Sequence, residues 1–438
     1  MKYPILSELK WRHMLTLSSQ TRANLMLPLV LGTFVSPVVL QAQQANAPSD
    51  SDKETALLHR IDQLEARLKE VEEALAKAQS AAPSAAPVQA APAREPEPAP
   101  QAEPTTERES MDLNRTLLRI RGFSDVNLSS STLRGETTSF SLGQVNLFVT
   151  SDLSDKFKFL SEVVFEAGRD NVFGVDIERM LLSYSFSDYL NVSVGRYHTA
   201  IGFYNTAYHH STWFQTTTGR PFLFAFEDQG GILPIHNVGA SATGRIPSGR
   251  LGLHYVAEVG NGRASRSPLS EPVQNTVDEN NRKAFNLALY ARPEAVPGLQ
   301  TGFSIYRDLL APENSPRIGE TIFAAHAVYT GLNFEWLNEA LVIRHAPLGM
   351  PRVFHTPGFY TQISKRFSSY RPYFRYQYVN SAQNEPVFFS DVGLRHGPSF
   401  GVRYDMSDFV ALKLQYDYTL LRGDQSFHSL GLQAGFTF

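Results

Sequence analysis

The sequence predicts an all-β fold: a transmembrane antiparallel β-barrel of about sixteen strands, preceded by a short α-helical coiled coil. Short segments alternate apolar and polar residues, short and long connections alternate along the chain, and the last strand ends on an aromatic residue. That strand has Leu430, Leu432, Ala434, Phe436 and Phe438 on one face and small or polar residues on the other. A membrane barrel turns such an apolar face to lipid and the polar face to its lumen. The alternative, the last strand of a soluble sandwich, explains the ending less well.

Residues 1–45 have the features of an export signal. Basic residues lead the segment: Lys2, Lys10, Arg12 and Arg22. An apolar stretch then spans 25–40 and is interrupted by Pro28 and Pro37. A charged lead followed by a short apolar region is typical of an export signal. An N-terminal anchor helix is the alternative, which the short and proline-interrupted stretch disfavours.

Overall composition excludes several classes of protein. The chain has 438 residues, a formal net charge of −3 and no cysteine. The absence of cysteine excludes disulfides, thiol metal sites and lipid attachment through a cysteine. The near-neutral charge gives no reason to expect a nucleic-acid partner.

Residues 46–79 form the predicted coiled-coil segment. Apolar residues recur in steps of three and four: Leu57, Ile61, Leu64, Leu68, Val71, Leu75 and Ala78. This spacing is that of a coiled-coil seam, and a single amphipathic helix lying on a surface is the alternative. Residues 80–112 follow as an Ala/Pro-rich linker, which is expected to be extended and to carry no chemistry.

From residue 113 to 438 the pattern is that of the barrel itself. Val410, Leu412 and Leu414 oppose Lys413 and Gln415, and several other segments alternate in the same way. Eight connections are long and polar or rich in Gly and Pro, and the connections between them are short. Long loops outside and short turns on the periplasmic side are typical of outer-membrane barrels, so eight long loops predict sixteen strands. A barrel of that size leaves an aqueous channel.

The longest connection, 199–235, is unusually aromatic for a loop. It contains Phe203, Tyr204, Tyr208, Trp213, Phe214, Phe222, Phe224 and Phe226. So apolar a segment is not expected to face water, and we expect it to pack against the inner wall of the barrel. The charged and imidazole groups in or near it are then candidates for the pore constriction: Arg196, His198, His209, His210, Arg220, Glu227, Asp228 and His236.

Two chemical alternatives apply to this loop. The adjacent His209 and His210 could ligate a transition metal, but no regular ligand spacing accompanies them, and polar packing is the simpler interpretation. A catalytic Ser211 has no nucleophile turn around it. The sequence therefore predicts no catalytic residue, no resident metal and no cofactor.

Strand alternation also predicts which charged residues face the lumen. These are Arg119, Arg121, Glu162, Glu166, Arg179, Glu258, Arg375, Arg403, Lys413 and Asp417. Arginine keeps its charge and its planar donor geometry, which suits fixed cations in a pore. Cross-strand ion pairing in a solvated wall is the alternative role for most of them.

The run from Val194 to Phe203 resembles a strand-end motif, G-R-aromatic-x-T-P-x-G, of the phosphate-selective and dicarboxylate-type (OprP- and DcaP-like) porins. Ala200 stands where that motif usually has proline. The resemblance implies a trimer of separate pores in the bacterial outer membrane, each narrowed by the loop after the fifth strand. Phosphate-selective members are rich in lumen lysine and arginine, whereas this chain has few lysines and balanced acidic residues in the barrel region.

The expected function is that of an outer-membrane porin for passive diffusion of small hydrophilic or charged solutes, without enzymatic activity. Expected partners are outer-membrane lipid, two further copies of the chain, the solutes, and the barrel assembly machinery through the C-terminal strand. The coiled coil is expected in the periplasm. Alternatives are a channel for a metal chelate or siderophore, an outer-membrane hydrolase, and a cell-envelope tether.

Overall fold

The computed structural model describes residues 117–168, 172–208, 212–226, 231–265, 277–312, 316–388, 392–423 and 425–438. The predicted export signal, coiled-coil segment and linker lie outside these residues and stay predictions. Within the described chain, no helix combines the length and apolar character needed to cross a membrane.

Sixteen antiparallel strands form one closed barrel, as the sequence predicts. They are β1 Leu117–Ser131, β2 Ser139–Asp152, β3 Phe157–Ala167, β4 Phe173–Ser187, β5 Leu190–His198, β6 His236–Ile246, β7 Leu253–Gly260, β8 Ala284–Ala291, β9 Leu299–Leu310, β10 Ile318–Thr330, β11 Phe334–Pro347, β12 Phe354–Lys365, β13 Tyr370–Asn380, β14 Leu394–Asp405, β15 Val410–Leu421 and β16 Ser426–Thr437. Each strand pairs with its neighbours in sequence, and β1 pairs with β16.

Barrel closure depends on a close approach between Gly122 and the last residue. The Gly122 N–H donates to the Phe438 carbonyl at 2.8 Å, and the Phe438 N–H donates to the Gly122 carbonyl at 2.9 Å. A side chain at Gly122 would place its Cβ 2.1 Å from the Phe438 ring. Glycine therefore leaves the space that the terminal aromatic ring occupies at the seam.

The connections at the two ends of the barrel differ in length. At one end the turns are short: 153–156, 188–189, 247–252, 292–298, 331–333, 366–369 and 406–409. The opposite end carries the connections 132–138, 168–172, 199–235, 261–283, 311–317, 348–353, 381–393 and 422–425. Short helical pieces also occur: α1 Tyr204–Ala207 and the 3-10 turns Thr212–Phe214, Phe222–Phe224 and Gly249–Leu251.

Side chains along each strand alternate between the two faces of the wall. On β11, Phe334, Trp336 and Val342 are exposed on the outside, whereas Glu335 and Glu339 are buried on the inside. Successive side chains of a strand point to opposite faces, so one face meets the surroundings and the other the interior. The outer face is therefore largely apolar and aromatic.

The main apolar core lies inside the barrel. It joins residues of the 199–235 loop to the inner faces of β8 to β13 and to the β13–β14 loop. The loop contributes Ile201, Tyr204, Leu223, Phe224, Phe226, Ile232, Leu233 and Ile235. The wall contributes residues such as Ile322, Leu337, Leu341, Tyr360 and Val379. Each of these side chains is fully or nearly fully removed from water.

Candidate functional site

The 199–235 loop is closed at its base by its own backbone. The Thr199 N–H donates to the Ile235 carbonyl at 2.9 Å. The Asn205 amide donates to the Thr199 carbonyl at 2.8 Å and to the Ile235 carbonyl at 3.1 Å. Because Asn205 is fully buried, these bonds fix where the loop leaves β5 and rejoins β6.

Carboxylates on the wall accept hydrogen bonds from the first part of the loop. Glu339 accepts the N–H groups of Phe203 at 2.5 Å and Tyr204 at 2.9 Å, and the Tyr360 hydroxyl at 2.7 Å. Gly202 has φ of +73°, and a Cβ there would lie 2.3 Å from Glu339 Oε2. Glu258 accepts the Ala200 N–H at 3.1 Å. Glu339 thus satisfies backbone donors at the start of α1 that no helix bond uses, and Glu258 satisfies one where the loop leaves β5.

Glu335 acts in the same way further along the loop. It accepts the Tyr208 hydroxyl at 3.1 Å, the Thr216 hydroxyl at 3.3 Å and the Gln362 amide at 2.9 Å. Burial, chiefly through desolvation, raises the pKa of Tyr208 well above its ordinary value. Tyr208 therefore stays a neutral donor to this carboxylate.

Aromatic packing fills the centre of the loop. The rings of Tyr204 and Phe224 stack with centroids 5.5 Å apart, and Tyr360 meets both rings edge-on at 6.1 Å. The Arg220 guanidinium lies 4.3 Å from the centroid of the Phe226 ring and donates to the Phe224 carbonyl. A cation held over an aromatic face is stabilised by the ring quadrupole. Arg220 is therefore engaged with the loop's own groups.

Cations on the opposite wall hold the far part of the loop by its carbonyls. Arg375 donates to the Gly219 carbonyl at 2.8 Å, and Arg403 donates to the Gln215 carbonyl at 3.0 Å. Lys413 donates to the Thr217 carbonyl at 2.9 Å. The sequence places these three residues on the lumen face, but the structure shows that the loop covers them. Their charge is directed to the loop backbone.

The loop thus reaches across the barrel from β5 to the seam. Phe214 packs on Phe123 of β1 with ring centroids 4.9 Å apart, and the Gln433 amide of β16 donates to the Thr218 carbonyl at 3.0 Å. Carboxylates on β7 and β11 accept hydrogen bonds from the loop, and cations on β13 to β15 donate hydrogen bonds to its carbonyls. The interior is therefore divided into separate spaces on either side of the loop.

At the β5–β6 junction, Glu178 contacts two of the predicted constriction residues, and a third packs against one of these. Arg196 lies 3.5 Å and His236 3.0 Å from Glu178 Oε2. The rings of His198 and His236 lie 4.8 Å apart, and His198 Nδ1 is 3.0 Å from the Asn205 carbonyl. His209, His210, Glu227 and Asp228 lie outside the described residues. Among the side chains that the structure describes, no group of three or more His, Cys, Asp or Glu could hold a metal ion.

Glu178 was not predicted from the sequence. Between Glu162 and Val163 the β3–β4 register shifts, so that Glu162 faces Arg179, Val163 faces Ile177, and Glu178 is the extra residue. A bulge of this kind redirects side chains. Simple alternation along β4 therefore misses Glu178. The only signal of its position in the sequence is that the acidic Glu178 directly precedes the basic Arg179.

A cavity of about 200 Å³ lies between the loop and the first strands. It is lined by Arg119, Arg121, Phe123, Phe148, Thr150, Glu162 and Phe214. Glu162 is bound by Arg179 at 2.7 Å and by the Asn146 amide at 2.9 Å. The Arg119 side chain is 62% exposed and lies 3.7 Å from Asp152. The exposed charge of this cavity is therefore basic.

The remaining predicted lumen residues have polar neighbours on the wall. Glu166 accepts the Gln144 amide. Asp417 accepts the Ser399 hydroxyl at 2.5 Å and the Gln415 amide at 2.9 Å. The contacts of Glu166 with Gln144 and of Asp417 with Ser399 link adjacent strands, as expected for a wall stabilised by cross-strand pairs.

A second, larger cavity of about 370 Å³ lies on the other side of the loop. It is bounded by the start of the loop and by strands β4 to β10. Its charged or imidazole lining residues are His198, Glu258, Arg292 and His326. The two cavities are thus spaces that the loop residues border inside the barrel.

Comparison with known proteins places the fold. No protein-family model and no curated protein sequence matches the chain. The anion-selective porin from Comamonas acidovorans superimposes with a TM-score of 0.53 at 12% identity, over 74% of this chain and 100% of that one. The outer membrane channel DcaP of Acinetobacter baumannii superimposes with a TM-score of 0.52 at 10% identity, over 75% and 99%. At these identities the similarity shows the barrel fold alone.

Proposed function

We propose that this chain is an outer-membrane porin: a passive diffusion channel for small hydrophilic solutes, narrowed by the 199–235 loop and selective for anions. The observation that carries the proposal is a sixteen-strand barrel whose polar interior is crossed by a loop anchored on opposite walls. A barrel of this size has room for an aqueous channel, and an inward loop narrows it. The channel needs no cofactor and catalyses no reaction.

Several features support the cellular setting that we propose. The exposed outer face is apolar and aromatic, as lipid requires, and the short turns are assigned to the periplasmic side. The chain is proposed to assemble as a homotrimer, with the coiled coil in the periplasm and the C-terminal strand as the signal for barrel assembly. The solved structures with the same fold include a porin and a channel by their titles, which is consistent with this setting.

The proposed anion preference follows from which charges are buried in contacts and which stay exposed. The loop carbonyls accept from Arg375, Arg403 and Lys413, and Glu162 is bound by Arg179. Beside the smaller cavity, Arg121 is exposed, and the Arg119 side chain is 62% exposed although it lies 3.7 Å from Asp152. Charges fixed near a narrow path between low-dielectric walls act strongly on passing ions.

Replacing both Arg119 and Arg121 with Glu is expected to move the reversal potential in asymmetric KCl from the anion-selective toward the cation-selective sign. Planar-bilayer recordings of the purified full chain measure this potential. Arg250→Glu is the matched control, because Arg250 is exposed on a turn with Glu294 at 3.9 Å. A wild-type channel without anion preference, or the same potential in the double variant, would refute the proposed selectivity. The absence of any conductance would refute the porin function.

A further inference from the structure

The larger cavity is lined by both polar and apolar side chains. Its polar lining includes Arg292, Gln300, Ser304 and His326. Its apolar lining includes Phe203, Val256 and Ala288, and Ala288 lies directly opposite Ser304 across the β8–β9 pair. The volume of about 370 Å³ lies within the range of small-molecule sites. A solute with one polar head and an apolar body would find partners of both kinds here.

A series of hydrogen bonds determines which ring nitrogen of His326 carries the proton. Arg292 Nε donates to Gln300 Oε1 at 2.9 Å, so the amide nitrogen of Gln300 faces His326 Nε2, at 3.1 Å. Arginine can only donate, and the amide nitrogen also only donates. His326 Nε2 must therefore accept, which leaves the proton of the neutral ring on Nδ1.

The resulting Nδ1–H donor has no partner in the described part of the chain, and neither has the Ser304 hydroxyl. His326 is 8% exposed and Ser304 is 4% exposed, and both line the cavity. Buried polar groups in folded proteins are nearly always hydrogen-bonded. Two unpartnered groups in a cavity that Arg292 also lines therefore indicate a place for a ligand with acceptor atoms.

Gly302 on β9 makes room for the His326 ring. His326 lies opposite Gly302 across the β9–β10 pair. A Cβ at Gly302 would lie 2.8 Å from His326 Cε1 and 2.6 Å from the Tyr290 Cβ. Because no side chain occupies this position, the imidazole lies against β9, close to both Gln300 and the cavity.

Glu258 limits which solutes the cavity can accept. Both of its oxygens accept the Ala200 N–H at 3.1 Å, and Oε2 also accepts the Asn286 amide at 2.7 Å. The carboxylate thus has its hydrogen bonds within the protein and opposes a second negative charge nearby. A dianion such as a dicarboxylate, or a phosphate without an apolar body, fits this cavity poorly.

We propose that the larger cavity is a binding site for a small monocarboxylate with an apolar or aromatic body. The carboxylate accepts from His326 Nδ1, the Ser304 hydroxyl and the Arg292 guanidinium, and the body packs against Phe203, Val256 and Ala288. A guanidinium and two neutral donors are groups that bind a carboxylate well. The role of this site in permeation rests on the proposed porin function, whereas binding itself does not.

Isothermal titration calorimetry of the detergent-solubilised full chain with sodium benzoate tests this site. Saturable binding is expected, with the dissociation constant raised about tenfold or more by Ser304→Ala and by Arg292→Gln, since each removes a buried or charged partner. Arg250→Gln is the control for the loss of one arginine, and Ser304→Ala is small enough to leave the barrel intact. Succinate and inorganic phosphate are expected to bind at least about tenfold more weakly than benzoate.

The outcomes separate the two proposals. Absence of saturable benzoate binding, unchanged affinity in both variants, or equal affinity for succinate or phosphate would overturn the site. Bilayer recordings in KCl then show whether benzoate reduces the chloride current in the wild type but not in the variants. If the chain conducts no ions, the porin function fails, while the calorimetry still decides whether the site exists.

Discussion

Deletion of residues 205–228 is expected to raise the single-channel conductance about threefold or more, because a sixteen-strand barrel without an inward loop has a wide aqueous interior. The deleted segment contains all of α1 except Tyr204, and the loop carbonyls to which Arg375, Arg403 and Lys413 donate. The sixteen-strand hydrogen-bond ladder does not include it, so we expect the barrel to stay closed. Bilayer recordings in symmetric KCl measure the change.

The matched control for this deletion is removal of residues 349–351. They belong to the exposed β11–β12 loop, and their loss is expected to leave the conductance unchanged. If the 205–228 deletion gives a folded barrel with wild-type conductance, the loop is not the constriction and the narrowing lies elsewhere in the wall.

Replacing Glu339 with Ala is expected to release the start of the loop. Glu339 is buried and accepts three donors: the N–H groups of Phe203 and Tyr204, and the Tyr360 hydroxyl. Each buried donor left without an acceptor costs about 1–3 kcal/mol, so the loop position loses about 3 kcal/mol or more. The channel current should therefore become noisy with larger open levels, and trypsin should cut the folded barrel at Arg220.

Glu339→Gln keeps one carbonyl acceptor and is expected to give a smaller effect of the same kind. Glu294→Ala, on an exposed turn, is the control for loss of a carboxylate. A quiet current and a protease-resistant loop in Glu339→Ala would show that the carboxylate does not anchor the loop.

Much of the barrel could be predicted because neighbouring residues along the sequence specify its pattern. A wall with different media on its two faces forces a period of two, which places residues such as Lys413 and Gln415 on the inside and Leu412 and Leu414 on the outside. The alternation of short and long connections also shows in the sequence which loops lie at the same end of the barrel. The aromatic content of residues 199–235 indicates a buried segment, and the structure places that segment inside.

The partners of the inward face could not be predicted in this way. Alternation shows that Arg375 and Lys413 point inward, but it does not show that loop carbonyls cover them. Glu339 is inward-facing by the same rule. Its role, however, depends on its hydrogen bonds to Phe203 and Tyr204, which lie more than 130 positions away in the sequence. Such contacts depend on the path of the folded loop, and no periodic pattern in the sequence predicts that path.

The His326 group illustrates the same limit. Its Nδ1–H donor is defined by Arg292 on the β8–β9 turn and Gln300 on β9. Those two residues precede His326 by tens of positions and have no motif in common. Three-dimensional pairing of β9 with β10 was needed to bring them together.

The most direct test of the central claim, that the loop crosses the barrel interior to the seam, is a disulfide between its far part and β16. The chain has no native cysteine, so an engineered pair is the only one present. A Cβ at Gly431 would lie 3.8 Å from Thr218 Oγ1 and 4.0 Å from Thr218 Cγ2. The Thr218 Cβ is bonded to both of these atoms, so the two Cβ atoms lie near the separation of about 3.5–4.5 Å that a disulfide requires.

The pair Thr218→Cys and Gly431→Cys is therefore predicted to cross-link in the folded barrel, detected as a shift in electrophoretic mobility that a reductant reverses. The control pair is Ser131→Cys and Ser429→Cys on the adjacent strands β1 and β16, whose hydroxyl oxygens lie 3.2 Å apart. Cross-linking of both pairs is the predicted result. Cross-linking of the control pair with free thiols at 218 and 431 would contradict a loop that spans the interior.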